Sequence, residues 1–162
     1  MRAARTVRNF VACRDASGYG KPMMTQNPRY ALDDQVGYIL RRVTQRHLAI
    51  FSAAIPEVTT TQFAVLARLA ELGPLSQNLL GREVAMDGAT VKGVVGRLVR
   101  LNLAATMPDP DDRRRLTVTL TDTGAALVAA RIPTALGVTN DTLAPLNETE
   151  RRALLALLSR LI

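Results

Sequence analysis

Tryptophan is absent from this chain, and phenylalanine and tyrosine occur three times each among 162 residues. Ala, Leu and Val therefore supply most of the apolar half, a composition suited to a helical protein. Cysteine occurs once, as Cys13, so no intrachain disulfide can form. A reducing cytoplasm is the expected compartment. Histidine also occurs once, as His47, far from Cys13 in sequence. One Cys and one His cannot supply a Cys/His zinc site, and their separation argues against a thiol–imidazole nucleophile. No metal, cofactor or enzyme activity is expected, because most Asp and Glu fall at helix starts or in one loop. No apolar run reaches the roughly 18 residues of a membrane span. The Arg-rich start lacks an apolar segment followed by a small-residue cleavage site. Neither a membrane partner nor a secretory leader is expected.

Positive charge, by contrast, is in excess, at a formal net +7. Residues 1–22 hold Arg2, Arg5, Arg8, Arg14 and Lys21 against Asp15, a net of +4, and the rest of the chain is only mildly basic. Net charge alone is a general argument for an anionic partner. The positions of the charges say more.

Residues 1–30 mix Arg with Gly, Pro and Asn without a sustained period and are read as a basic extension. Two readings stand for it: a disordered tail, or an arm that touches DNA. Residues 31–162 are read as one domain. A first helix is expected over 32–55, because Val36, Leu40, Val43, His47 and Ile50 share one face and Asp33 and Asp34 suit its first turn. Thr59 and Gln62 have capping-box spacing for a second helix, which Gly73-Pro74 stops. Ser76 can cap a short third helix, and Asp87 a fourth running from about Gly88 to Leu101. Two short helices joined this tightly have the dimensions of a helix-turn-helix.

The period then changes. Residues 103–107 are β-compatible, Pro108 to Asp112 form a turn by composition, and Leu116, Val118 and Leu120 alternate with threonines. Together they predict a β-hairpin wing directly after the helix-turn-helix. Thr121 caps a fifth helix reaching about Ala144, with Pro133 expected to kink or interrupt it. Asn147 and Glu150 cap a leucine-rich last helix that is apolar on more than one face. That helix needs cover, either from a second copy of the chain or from within its own chain. The fold class is thus mainly α with a small β-hairpin wing: a winged helix-turn-helix at about 58–120, with helical dimerisation segments at about 32–55 and 122–162.

The fourth helix has an unusual outer face. Ala89, Gly93, Gly96 and Arg100 follow one another at 4-3-4 spacing, flanked by Thr90, Lys92 and Arg97. Each interior Gly costs about 1 kcal/mol of helix propensity. The face is either a poor helix tolerated by packing or a flat surface that sits deep in a major groove, where Thr90, Lys92 and Arg97 reach bases or phosphates. Part of the specificity would then come from DNA shape. Arg113, Arg114 and Arg115 follow the hairpin turn, where guanidiniums can enter a narrow minor groove.

Asp109-Pro110-x-Asp112-Arg113-Arg114, followed by Leu120-Thr121-x-x-Gly124, resembles the wing signature of the MarR family of bacterial regulators. Thr61-Gln62-Phe63-x-Val65-Leu66, Leu75-Ser76-Gln77 and Thr90-Val91-x-x-x-Val95-x-Arg97-Leu98 match in order upstream, so the resemblance spans roughly residues 32–162. It implies a homodimer with a winged helix-turn-helix fold that binds double-stranded DNA at a palindromic operator. It also implies repression relieved by a small ligand or by oxidation. Ser76 and Gln77 join Thr90, Lys92, Gly93, Arg97, Arg100, Arg113, Arg114 and Arg115 as DNA-contact candidates. Gly93 and Gly96 stand where family members often carry larger polar residues. The resemblance also implies an effector lodged between the dimer helices and the DNA-binding lobe. Tyr38, Arg42, Arg46 and His47 on the first helix are the candidates for holding an aromatic carboxylate or its coenzyme A thioester. His47 equally fits a satisfied core histidine. A redox-responsive repressor using Cys13 and a winged-helix protein-interaction module are the alternative functions.

Overall fold

The computed structural model describes residues 30–108 and 115–162. The N-terminal extension, Cys13, and the wing-tip candidates Arg113 and Arg114 lie outside the described residues.

Helix α1 spans Val36–Ala54. A separate 3-10 turn, Leu32–Asp34, precedes it. Asp33 and Asp34 therefore occupy that turn rather than the first turn of α1, because Gln35 is extended and breaks the helix. Helix α2, Thr60–Leu72, starts with the expected capping box: Gln62 N donates to Thr59 Oγ1, and Thr59 N donates to Gln62 Oε1 at 2.8 Å. It stops at Gly73, whose φ of +78° is unfavourable for a side-chain-bearing residue.

Strand β1, Leu75–Ser76, leads directly into α3, Gln77–Glu83, and Asp87 then caps α4, Gly88–Arg100. The hairpin follows as β2, Ala104–Pro108, and β3, Leu116–Leu120. The sheet order is β1-β3-β2, antiparallel throughout, with Leu75 opposite Val118 and Ala104 opposite Leu120. Strand β1 has no counterpart among the elements expected from sequence, since two residues are too few to show a period.

Helix α5 runs unbroken over Asp122–Thr142 with Pro133 inside it. Of the two expected outcomes, a kink or an interruption, the interruption does not occur. Proline removes one backbone hydrogen bond, but α5 packs along both α1 and α2, and that packing holds the helix together. Helix α6, Glu148–Leu158, starts at Asn147, where the Asn147–Glu150 capping box forms as expected.

The core lies among α2, α3, α4, the sheet and α5. Leu66, Leu80, Val91, Leu98 and Val118 are fully buried there. Phe51, near the end of α1, meets Phe63 edge-on with ring centroids 5.7 Å apart, a favoured arrangement for an aromatic pair. Most of α1 does otherwise. Val36, Leu40 and Val43 are exposed, at 66%, 43% and 48%. Helix α6 has no buried residue and no extensive contact with any other element among the described residues.

Candidate nucleic-acid interface

Ser76 and Asp87 place the two helices of the helix-turn-helix. Ser76 Oγ accepts from Leu79 N, and Asp87 Oδ1 accepts from both Ala89 N and Thr90 N at 2.9 Å. The Thr90 hydroxyl donates to Asp87 Oδ2 at 2.6 Å. That bond, followed by those from the backbone amides, holds the Asp87 carboxyl below its ordinary pKa. Between the helices, Ala85 takes a left-handed φ of +52°. Gly81 lets α3 pass under the turn: a Cβ there would lie 3.1 Å from the Met86 carbonyl oxygen.

The buried stripe of α4 is Val91, Val94, Val95 and Leu98. Ala89, Thr90, Lys92, Gly93, Gly96, Arg97 and Arg100 are all exposed on the remaining surface. A Cβ added at Gly93 or Gly96 would meet nothing within 4 Å, so no neighbour among the described residues demands glycine at either position. That weakens packing as the reason for the glycines.

Ser76, Gln77, Lys92 and Arg115 converge on an open cleft of about 200 Å³, completed by Asn78 and Leu116. The base of the wing, the start of α3 and the flank of α4 thus share one surface. Asn78 was not among the sequence candidates. It also lines a second cleft with Arg82 and Gly88, and its place beside Gln77 in the first turn of α3 was the available signal.

The four effector candidates divide into two groups. Tyr38 lies under the guanidiniums of Arg41 and Arg42, at 5.5 and 5.8 Å from its ring centroid. Arg46 caps the end of α5, donating from Nη2 to the Asp141 carbonyl at 2.9 Å and from Nε to that of Thr142 at 3.3 Å. His47 Nδ1 is 3.0 Å from Thr142 Oγ1, whose own proton goes to the Val138 carbonyl at 2.8 Å. Nδ1 is therefore the donor in the His47–Thr142 bond. Tyr38 and His47 are nine positions apart on a regular helix, which puts them on opposite sides of α1. The structure joins Arg46 with His47 at the end of α5, and Tyr38 with Arg42, while Tyr38 and His47 face apart.

A MarR family sequence model matches residues 57–115. The transcriptional repressor NicR of Pseudomonas putida is 44% identical over 138 residues, covering 84% of this chain and 87% of that protein. A probable transcriptional regulator from Pseudomonas aeruginosa superposes with a TM-score of 0.78 at 47% identity, covering 82% of this chain and all of the other. BpsR of Bordetella bronchiseptica, whose DNA binding is regulated by 6-hydroxynicotinic acid, gives a TM-score of 0.78 at 43% identity, with 82% and 96% covered. The chain belongs to the MarR family. It is a transcription regulator of that type, with a winged helix-turn-helix fold.

The MarR wing pattern Leu120-Thr121-x-x-Gly124 has a structural reason here. Thr121 N donates to the Leu103 carbonyl, and its hydroxyl donates to the Asn102 carbonyl at 2.7 Å. Thr121 Oγ1 also accepts from Gly124 N, so the one side chain caps α5. A Cβ at Gly124 would fall 1.9 Å from the Leu103 carbonyl oxygen. Only glycine allows α5 to start that close to the strand.

Proposed function

We propose that this MarR-family regulator acts in the cytoplasm as a homodimeric repressor that binds a palindromic operator and is released by a small aromatic acid. The convergence of Ser76, Gln77, Lys92 and Arg115 on one open cleft carries the DNA reading. Two cations and three short polar side chains on a surface continuous with the exposed face of α4 suit a phosphate backbone. In that arrangement Lys92, Arg97 and Arg100 contact phosphates or base edges, and Gly93 permits close approach to the groove. Arg113 and Arg114, adjoining Arg115 in sequence, would extend the positive charge into a minor groove. The exposed apolar residues of α1 and α6 support the dimer.

The effector class rests on the relatives and on α1. BpsR responds to 6-hydroxynicotinic acid. In this chain Arg46 and His47 stand together where α1 meets the end of α5. A carboxylate bound by Arg46 would compete with the Asp141 and Thr142 carbonyls and loosen that joint. Tyr38 and Arg42 form an aromatic–cation pair that adjoins Arg46 along α1 and faces away from His47. The coenzyme A thioester of the same acid is the variant of this reading.

The test is fluorescence anisotropy with a labelled duplex from the region upstream of the protein's own coding sequence. If a dimer neutralises about six phosphates, the slope of log K against log salt is about −5. Titration of 6-hydroxynicotinic acid, benzoate and benzoyl-coenzyme A should lower affinity with at least one of them. Tenfold release needs only about 1.4 kcal/mol of coupling. Arg46→Ala and His47→Ala should blunt that response. No salt-dependent binding would turn the reading to a protein-interaction module. Release by peroxide through Cys13, with none of the acids active, would replace the ligand by a redox switch.

A further inference from the structure

We propose that Thr90 is a specificity-determining residue that reads a thymine through its methyl group and not through its hydroxyl. The inference rests on the DNA reading above and goes beyond it to a named base. A threonine on a recognition helix has two ways to read DNA. Its hydroxyl can hydrogen-bond a base edge, or its methyl can pack on the C5-methyl of thymine, the apolar group on the major-groove edge.

The geometry decides between them. The single hydroxyl proton of Thr90 is spent on Asp87 Oδ2, at 2.6 Å. Asp87 is in turn fixed by the amides of Ala89 and Thr90, so the acceptor is held by the helix itself. Turning the hydroxyl toward a base acceptor would break this bond at the N-cap. The methyl is the part of the side chain left uncommitted, and Thr90 is exposed.

Position and neighbours agree with this. Thr90 lies in the first turn of α4, the part of a recognition helix that meets base edges. The Asp87 carboxylate occupies the amides at the helix start and repels phosphates, which favours the bases over the backbone as the target of this turn. A methyl on so short a side chain reaches a base only if the helix comes close. Around it stand Ala89 and Gly93, with Gly96 one turn further on, and the long side chain nearest on its own flank of α4, Arg97, lies two turns away.

The probe is a duplex enriched from a random pool by the purified full chain. Each thymine is replaced in turn by deoxyuridine, which removes only the C5-methyl. One position per half-site should lose about fourfold in affinity, the value of one buried methyl, and replacing it in both half-sites should cost about fifteenfold. Thr90→Ser keeps the hydroxyl and its bond to Asp87. It should bind the thymine duplex with the same loss and no longer distinguish thymine from uracil at that position, with unchanged melting. Lys92→Ala should weaken binding yet keep the distinction. A flat uracil scan on an enriched duplex, or a Ser variant that binds like the parent, overturns the proposal and points to the Thr90 oxygen accepting from a base amino group. Failure to enrich any duplex, with no salt-dependent binding, defeats the DNA reading itself.

Discussion

Helices α1 and α4 carry equally regular apolar stripes, and the chain treats them in opposite ways. Val91, Val94, Val95 and Leu98 of α4 are buried by their own chain. Val36, Leu40 and Val43 of α1, and Leu155 and Leu157 of α6, stay exposed. Periodicity therefore reports that a face is to be covered, without saying by what. In the winged helix-turn-helix lobe the covering comes from short-range neighbours. Along α1 and α6 it is left to a second copy, on the reading proposed above.

The sharpest way to break this contrast is to cut into each stripe. Leu98→Ala opens a cavity in a closed core and should cost about 2–5 kcal/mol of stability, measured by urea unfolding. Leu40→Glu should leave the lobe folded but yield a monomer by light scattering at micromolar concentration. Its operator affinity should fall about a hundredfold or more, as the second half-site no longer binds intramolecularly. A Leu40→Glu protein that remains dimeric would place the interface elsewhere.

The same contrast can be drawn with one chemical change, Gly→Ala. At Gly124 the new Cβ collides with the Leu103 carbonyl, and the loss should be about 1–3 kcal/mol or more. At Gly93 there is open space, and the gain in helix propensity should reach about 1 kcal/mol. Thermal melts of the two variants should move in opposite directions. DNA affinity of Gly93→Gln should drop even though its fold is stabilised; unchanged binding would mean that α4 does not approach the groove closely there.

Smaller effects separate the charges. Arg115→Ala and Lys92→Ala should each lower the magnitude of the salt slope by about two, if the side chain neutralises one phosphate in each protomer of the dimer. The smallest effect concerns pH. A backbone hydrogen bond and then the Arg131 guanidinium hold the Glu57 carboxyl below its ordinary pKa. A depressed pKa gives stability that is present above the unfolded value and lost as pH falls below about 4.3. Glu57→Gln should flatten that acid limb slightly, and an unchanged limb would assign the pair no role.

Local signals made most of the fold legible. Capping residues sit within three positions of the amides they satisfy, so Thr59, Ser76, Asp87, Thr121 and Asn147 marked five helix starts correctly. Features set by distant packing were not legible. Strand β1 exists because β3 pairs with it, and α5 survives Pro133 because α1 and α2 flank it. The interface candidates Ser76, Gln77, Lys92 and Arg115 are apparent in the sequence, but their meeting in one cleft depends on the β1–β3 pairing. Grouping Tyr38 with His47 overlooks their angular separation on α1, nine residues being two and a half turns.

The close approach of Gly124 to Leu103 also governs how the molecule can move. Through Thr121 and Gly124, the residues just after α4, the hairpin and the start of α5 meet backbone to backbone at one joint. On the DNA reading proposed above, the reading head is tied to the near end of α5 and moves with it. Helix α5, with 21 residues, is a lever about 30 Å long. Its far end is gripped by Arg46 and His47. A tilt of about 5° over that length displaces one end by about 2.5 Å relative to the other. A ligand that does no more than loosen the grip at one end could thus carry the head out of register with the groove at the other.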